Sequence, residues 1–180
     1  HLARYPLADL FLDTFPYGAH TTASDALWMG VPVLTIPGRG FAGRVCASLV
    51  QAAGLPDCVC ASAEDYVARA IAFGRDRTSL APLRERLLAG RNSALLFDTP
   101  RLVRELASLF RAMWDDFASG RLRRPDLTNL EAYLELGAAM DHDAAETSFR
   151  PDYDASWQDA VAGRDAYATL PRDTRLARAR

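Results

Sequence analysis

One short segment groups the polar side chains of this chain that are best placed for chemistry. His20, Thr21 and Thr22 precede an apolar run, and Asp25 follows three residues after Thr22. If a helix begins at the threonines, their hydroxyls and the N–H groups of its first turn point outward together, and the helix dipole favours a phosphate there. Asp25 then lies about one turn further along, where its carboxylate can accept hydrogen bonds from two vicinal hydroxyls, as on a ribose.

The same pattern is also typical of a helix that binds nothing. Threonine is a common N-cap residue, and an acidic residue near the start of a helix is favourable without any ligand. Gly18 would allow a ligand to approach the backbone closely. We identify no glycine-rich phosphate loop, no G-x-G-x-x-G pattern and no Ser-His-Asp order here. The residue pattern alone therefore leaves two interpretations open, a ligand site and a capped core helix.

Alternating strands and helices predict the frame that positions this segment. Apolar runs bounded by turn residues predict three strands, over 7–13, 31–38 and 57–61. Helical patterns predict helices from Thr21 or Thr22 to Met29, over 40–54, and from Ser62 onward. The connections suit parallel strands, so we predict an α/β fold, half of a doubly wound parallel sheet followed by helices. Ligands of such sheets bind beyond the carboxyl ends of the strands, where His20–Asp25 follows the first strand.

Beyond residue 79 the sequence becomes helical. Helices are predicted over 79–93, 98–120, 127–140 and 150–167, with a break at 120–126 and a frayed end at 172–180. The helix over 98–120 carries an apolar stripe that we expect to dock on the domain: Leu102, Leu106, Leu109, Phe110, Met113 and Phe117. The predicted helix over 127–140 is also amphipathic. We expect its apolar face to pack on the preceding domain or to contact another chain, and we favour the first. We predict two domains, a lobe over 1–120 that is incomplete at its N-terminus and a partly irregular helical extension over 121–180.

Composition excludes several classes of protein. The chain has 180 residues, 49% of them hydrophobic, and a net charge of −2, which fits one ordinary domain, or one domain with a tail, without a basic surface for nucleic acid. No apolar run reaches the roughly 18 residues of a membrane helix, and no secretory signal is visible. We therefore predict a cytoplasmic protein with no nucleic-acid or membrane partner. The cations are all arginine and alanine is abundant, which indicates a GC-rich bacterial source.

The cysteines predict buried thiols and not a metal site. Cys46, Cys58 and Cys60 are odd in number and lack the spacing of a disulfide framework, which suits a reducing compartment. No second Cys or His pair stands at a zinc-like distance from Cys58 and Cys60. The chain also opens on His1 and not on a methionine, so we expect it to be a fragment of a longer protein.

Three stretches carry a resemblance to a known family. LADLFLDTFPYGAHTTASDALWMGVPVLTIPG, AGRVCASLVQAAGL and NSALLFDTPRLVRELASLFRAMW together resemble the C-terminal catalytic region of the O-linked N-acetylglucosamine transferases, which include the SPINDLY proteins. The resemblance runs from His1 to about Gly120. It implies the C-terminal Rossmann-like lobe of a GT-B glycosyltransferase, with the nucleotide sugar between two lobes and tetratricopeptide repeats before the catalytic region.

The resemblance implies a role for each matching residue of the first segment. Thr21 and Thr22 correspond to the pair that holds the donor diphosphate, and His20 corresponds to the histidine beside it. Asp25 corresponds to the carboxylate that binds the ribose.

The first residues of the chain extend this correspondence to the nucleobase. HLARYPLAD matches the segment whose histidine and arginine lie against the base, so the resemblance assigns that role to His1 and Arg4. The lysines that the family places on the donor, and the N-terminal lobe with its candidate catalytic groups, lie upstream of His1. No catalytic residue is therefore identifiable here, and we expect the 180 residues alone to be inactive. The resemblance gives no role to the residues from Arg121 onward.

The implied reaction is an inverting transfer of a sugar to Ser or Thr hydroxyls of an acceptor protein or peptide. The favoured donor is UDP-N-acetylglucosamine. Hydroxyls and N–H groups at the N-terminus of a helix, here called its mouth, can neutralise the charge of the departing diphosphate. The loop contains no acidic pair that could hold a divalent ion. We therefore predict no metal and no other cofactor. Two alternatives stay open. One is a GDP-fucose-dependent O-fucosyltransferase of the same family, and the other is a catalytically inert module that binds a nucleotide or a partner.

Overall fold

Two short parallel strands organise the first part of the chain. The computed structural model describes residues 1–121, 129–140 and 153–170. β1 (Phe11–Leu12) and β2 (Val33–Leu34) pair in parallel, with Phe11 opposite Val33, and α1 (Thr21–Trp28) connects them. A parallel bridge joins Thr35 to Val59 on the far side of β2. The described chain is thus mostly helical with a small parallel sheet, which agrees with the predicted α/β class.

The strands are shorter than predicted because prolines shape the flanking segments. Only Phe11–Leu12 of the predicted strand 7–13 is a strand, and Leu7 belongs to the 3-10 helix Leu2–Leu7, which contains Pro6. Pro56–Cys58 forms another 3-10 turn, and the predicted strand 57–61 is reduced to the bridge at Val59. β1 is the edge strand of the described sheet, and Leu12 is 51% exposed there, so the expectation of a buried strand is wrong at this residue.

The predicted helices are present with shifted ends. They are α2 (Phe41–Ala52), α3 (Ala63–Arg75), α4 (Ala81–Gly90), α5 (Thr99–Ala118), α6 (Leu130–Ala138) and α7 (Tyr153–Tyr167). Short 3-10 turns at Arg77–Leu80 and Leu95–Phe97 flank α4. No helix in the described ranges is both long enough and apolar enough to cross a membrane.

The hydrophobic core lies where α1, α2 and β2 meet. Its side chains are almost wholly withdrawn from solvent, and the largest of them are Leu27, Val31, Val33, Leu34, Val50 and Leu55. This burial holds α1 against the sheet and so fixes where its first turn points.

The described residues form two compact units, 1–102 and those from 103 onward. In the second unit, Tyr133 of α6 is buried and stacks on Trp157 of α7 with ring centroids 6.3 Å apart. Glu135 and Arg164 form an ion pair at 3.7 Å between the same helices. The prediction that 127–140 packs back on the first domain, and the domain division after residue 120, stay predictions.

The apolar stripe of α5 is exposed. Its six side chains are 40–62% exposed, so the prediction that they dock on the domain is not confirmed. Amphipathic spacing shows that a helix has an apolar face but not what covers it. The predicted frayed end at 172–180, and the predicted break apart from residues 120 and 121, lie outside the described residues.

Candidate functional site

His20 is the N-cap residue of α1, and its side chain makes no capping hydrogen bond to the first turn, which Thr21 and Thr22 begin. Both threonines are exposed. The start of α3 differs, because the Ser62 hydroxyl there accepts a hydrogen bond from the Asp65 N–H at 3.2 Å. Thr21 and Thr22 therefore do not serve as N-caps of α1, and the ligand-site interpretation stays a prediction.

The His20 ring is held between two aromatic side chains and a backbone carbonyl. Its Nε2–H donates to the Ala42 carbonyl at 3.3 Å, because a carbonyl can only accept. Tyr17 stacks on the ring at 5.3 Å, and Phe41 meets it edge-on at 5.9 Å. Tyr17 and Phe41 are 66% and 76% exposed and were not among the predicted site residues. Exposed aromatic residues beside a polar segment are the signal that could have found them.

His1, Arg4 and Asp25 lie together beside α1. Arg4 donates to His1 Nδ1 at 2.9 Å, so Nε2 carries the proton of a neutral ring. That Nε2 lies 3.8 Å from Asp25 Oδ2. The Tyr5 ring packs edge-on against His1 at 5.4 Å. Three of the six predicted site residues thus form one polar cluster, and the other three form the mouth of α1.

Asp13 is a buried acceptor of several hydrogen bonds in the segment that precedes α1. Its Oδ1 accepts from the Thr14 N–H at 3.0 Å and the Ala19 N–H at 2.7 Å, and its Oδ2 accepts from the Thr35 hydroxyl at 2.6 Å. Asp13 is only 8% exposed, and the Tyr66 hydroxyl donates to its backbone carbonyl at 2.9 Å. The only sequence signal for this residue is a carboxylate at the end of an apolar run.

Protein atoms occupy the space beside Gly18, where we expected a ligand to approach the backbone. The residue is buried, and a Cβ there would lie 3.1 Å from Asp13 Oδ2 and 3.3 Å from the Ala42 oxygen. The expectation that this glycine lets a ligand approach is therefore wrong, since the space is filled from within.

A second glycine pattern lies between β2 and α2 and was not among the predicted site residues. Gly38–Gly43 has the G-x-G-x-x-G spacing of a phosphate-binding turn after a strand and before a helix. A Cβ on Gly43 would lie 2.9 Å from Gly38 Cα and 3.1 Å from the Pro16 oxygen. The last glycine of this pattern therefore allows α2 to pack closely against the loop that carries His20.

The three cysteines are free and buried, as predicted. Burial, together with the nearby negative charge of Asp13, raises the pKa of Cys46 from 9.0 to about 12. Burial likewise raises the pKa of Cys58 to about 11. Over the described ranges, no three His, Cys, Asp or Glu side chains are grouped in a way that suits a metal ion. The expectation that the site uses no metal stays a prediction.

A parallel α/β unit whose uncapped helix mouth follows the carboxyl end of a strand has the usual arrangement of a ligand-binding α/β protein. Residues 1–106 match the family model described as "Glycosyl transferase family 41". The match covers more than half of the chain, so the chain belongs to glycosyl transferase family 41, and the resemblance to the O-linked N-acetylglucosamine transferases is confirmed.

Named relatives agree with this assignment. The chain is 37% identical over 120 residues to the UDP-N-acetylglucosamine–peptide N-acetylglucosaminyltransferase of Caenorhabditis elegans, which is 67% of this chain and 10% of the relative. It is also 34% identical over 173 residues to the probable UDP-N-acetylglucosamine–peptide N-acetylglucosaminyltransferase SPINDLY of Oryza sativa subsp. japonica. That alignment covers 94% of this chain and 19% of the relative.

A solved structure is also similar. It is a mutant of the O-GlcNAc transferase of Thermobaculum terrenum, with a TM-score of 0.60 and 43% sequence identity. The similar part covers 64% of this chain and 22% of that one. The chain therefore spans between a tenth and about a fifth of the lengths of these relatives.

Proposed function

We propose that this chain is the donor-binding part of a protein O-glycosyltransferase, the C-terminal Rossmann-like lobe of a GT-B enzyme. The favoured reaction moves N-acetylglucosamine from UDP-N-acetylglucosamine to Ser or Thr hydroxyls of an acceptor protein. The observation that carries the proposal is the uncapped mouth of α1 with exposed Thr21 and Thr22. The names of the relatives support the choice of donor.

The donor diphosphate binds at the mouth of α1 in this proposal. The hydroxyls of Thr21 and Thr22 and the N–H groups of the first turn donate hydrogen bonds to it, and the helix dipole adds a favourable field. Negative charge on the diphosphate grows as the bond to the sugar breaks. Donors fixed at this point therefore stabilise the transition state more than the bound donor. The ordered His20 ring borders the same mouth.

The nucleoside lies toward His1 and Arg4. Asp25 accepts hydrogen bonds from the ribose hydroxyls, and the two basic residues border the nucleobase. Arg4 is hydrogen-bonded to His1, whose Nε2 lies 3.8 Å from Asp25 Oδ2, so the Arg4 cation lies near the Asp25 carboxylate. A carboxylate one turn from a diphosphate is otherwise repelled by it, and nearby cationic charge reduces that cost.

Transfer needs residues that this chain does not supply. The resemblance identifies no general base among the residues of this chain, so we assign the general base and the acceptor groove to the opposite lobe. We expect the 180-residue chain to show no transfer from UDP-N-acetylglucosamine to peptides. Turnover by the purified chain would contradict this division of roles.

Isothermal calorimetry with UDP and with GDP tests the proposal, using the chain joined to an N-terminal family 41 lobe. We expect UDP to bind, and the double variant Thr21→Val, Thr22→Val to weaken it by about tenfold, or about 1.4 kcal/mol. Thr99→Val is the matched control, because Thr99 is an exposed threonine at the start of α5. Preference for GDP would point to GDP-fucose as the donor. Binding of neither nucleotide would contradict the donor site, and binding without transfer would favour the inert module.

A further inference from the structure

We propose that Asp13 is a positioning residue for the donor site. In this proposal its buried side chain holds the loop 14–19 and thereby keeps the mouth of α1 in its binding shape. The inference rests on the proposed function for its effect on nucleotide binding. The ordering of the loop can be measured without any ligand.

Asp13 joins the two ends of the loop. Its Oδ1 accepts from the N–H of Thr14, the first loop residue, and from the N–H of Ala19, the last, at 3.0 and 2.7 Å. Ala19 directly precedes His20, the N-cap residue of α1. One carboxylate oxygen therefore closes the loop immediately before the helix mouth begins.

The other carboxylate oxygen anchors this closure to the sheet. Oδ2 accepts from the Thr35 hydroxyl at 2.6 Å, and Thr35 is fully buried next to β2. Asp13 also follows β1, and its N–H donates to the Leu34 carbonyl at 3.0 Å. The loop is thus held by a residue that the core itself keeps in place, and not by an exposed side chain.

Gly18 and Asp13 fit one another. A Cβ at position 18 would lie 3.1 Å from Asp13 Oδ2, which is closer than most real Cβ contacts. On its other side the loop is tied to α2, because the Gly18 N–H donates to the Ala42 carbonyl at 3.2 Å. The backbone therefore passes through a gap that only a glycine fills without displacing the carboxylate.

Loss of the carboxylate would leave the Ala19 N–H and the Thr35 hydroxyl without their acceptor. Groups of this kind cost free energy when they stay unpaired, so the loop is expected to move until they find water. Thr35→Val is the matched control. It removes the sheet-side hydrogen bond and destabilises the protein, but it leaves Ala19 bonded to Oδ1.

Amide hydrogen exchange and UDP affinity together test the proposal. For Asp13→Ala we expect exchange at Ala19 to rise by about tenfold and UDP affinity to fall by about tenfold, under conditions where the protein remains folded. For Thr35→Val we expect smaller changes in both than for Asp13→Ala, despite a lower free energy of unfolding, because Ala19 stays bonded to Oδ1 and the Asp13 N–H stays bonded to the Leu34 carbonyl. For Asp13→Asn, whose Oδ1 still accepts from Ala19, we expect both to be retained.

Equal loss of affinity in Asp13→Ala and Thr35→Val would overturn the proposal, since Asp13 would then act only through stability. If Asp13→Ala does not fold, Gly18→Ala takes its place. Its Cβ should displace the carboxylate and weaken UDP binding by about threefold or more. Unchanged exchange and affinity in that variant would also contradict the proposal. Failure of the wild-type protein to bind UDP would refute the proposed function, whereas exchange at Ala19 would still decide whether Asp13 orders the loop.

Discussion

His1 Nε2 lies 3.8 Å from Asp25 Oδ2, so the first residue of the chain meets the helix that follows β1. Arg4 holds the other nitrogen of the same ring at 2.9 Å. The three side chains therefore form a chain of polar contacts, from Arg4 through His1 to Asp25 of α1. These contacts give Asp25 a defined place from which to contact a ligand.

Replacement of Asp25 should affect ribose recognition specifically. We expect Asp25→Asn to weaken UDP binding by about tenfold, because a charged acceptor of two hydroxyl donors is replaced by a neutral amide. The same variant should bind a 2′,3′-dideoxy analogue of UDP as weakly as the wild type does. Calorimetry with both nucleotides measures this. Asp9→Asn is the control, since Asp9 pairs with Arg77 away from the α1 mouth and should change neither affinity. Equal weakening of both nucleotides would mean that Asp25 does not read the ribose.

Two helix starts should respond differently to the loss of a hydroxyl. Ser62→Ala removes the hydrogen bond to the Asp65 N–H and should lower the free energy of unfolding by about 1 kcal/mol. Thr21→Ala should lower it by less than about 0.5 kcal/mol, because Thr21 is a helix residue and not a cap. Urea unfolding of both variants provides the comparison. A loss at Thr21 as large as that at Ser62 would show a structural role for its hydroxyl.

Two glycines should respond in opposite directions to alanine. Gly43→Ala places a methyl group 2.9 Å from Gly38 Cα, a backbone atom, and should destabilise the protein by about 1–3 kcal/mol. Gly74→Ala, within α3 and with no described atom beyond the neighbouring helix backbone within 4 Å of its Cβ position, should stabilise it by about 0.5–1 kcal/mol. Thermal and urea unfolding of the pair measure the difference. A neutral Gly43→Ala would contradict the close approach of α2 to the loop.

The buried thiols should make the protein less stable in alkali. Cys46 has a pKa of about 12 in the folded chain against an ordinary value of 9.0, so the folded state holds this proton more tightly. The contribution is complete below pH 9.0 and is lost as the pH rises toward about 12, with a limiting slope of about 1.4 kcal/mol per pH unit. Cys58 acts in the same direction.

Urea unfolding at about pH 8 and about pH 10 measures this loss in the wild type and in Cys46→Ala. The variant is less stable at both pH values because it loses packing, yet its stability should fall less between them. Identical pH dependence in the two proteins would mean that the Cys46 thiol ionises as readily in the fold as in the unfolded chain.

Much of the frame follows from local sequence patterns, because each pattern concerns neighbouring residues. The apolar periodicity of 21–29 and the position of Ser62 predict α1 and the start of α3 without further information. The role of Asp13 could not be predicted in this way. Among its donors are two backbone N–H groups, which every residue except proline carries, and the hydroxyl of Thr35, far along the chain. Only the folded backbone brings such partners together.

The Ala42 carbonyl accepts from both the Gly18 N–H and the His20 ring. A main-chain oxygen is present whatever residue stands at position 42, so side-chain substitutions there cannot delete this acceptor. Asp13, in contrast, loses its acceptors with a single codon change. The two sides of the loop therefore differ in mutational robustness. A substitution at position 42 keeps this acceptor as long as the backbone of α2 keeps its course, whereas Asp13→Ala removes both carboxylate acceptors.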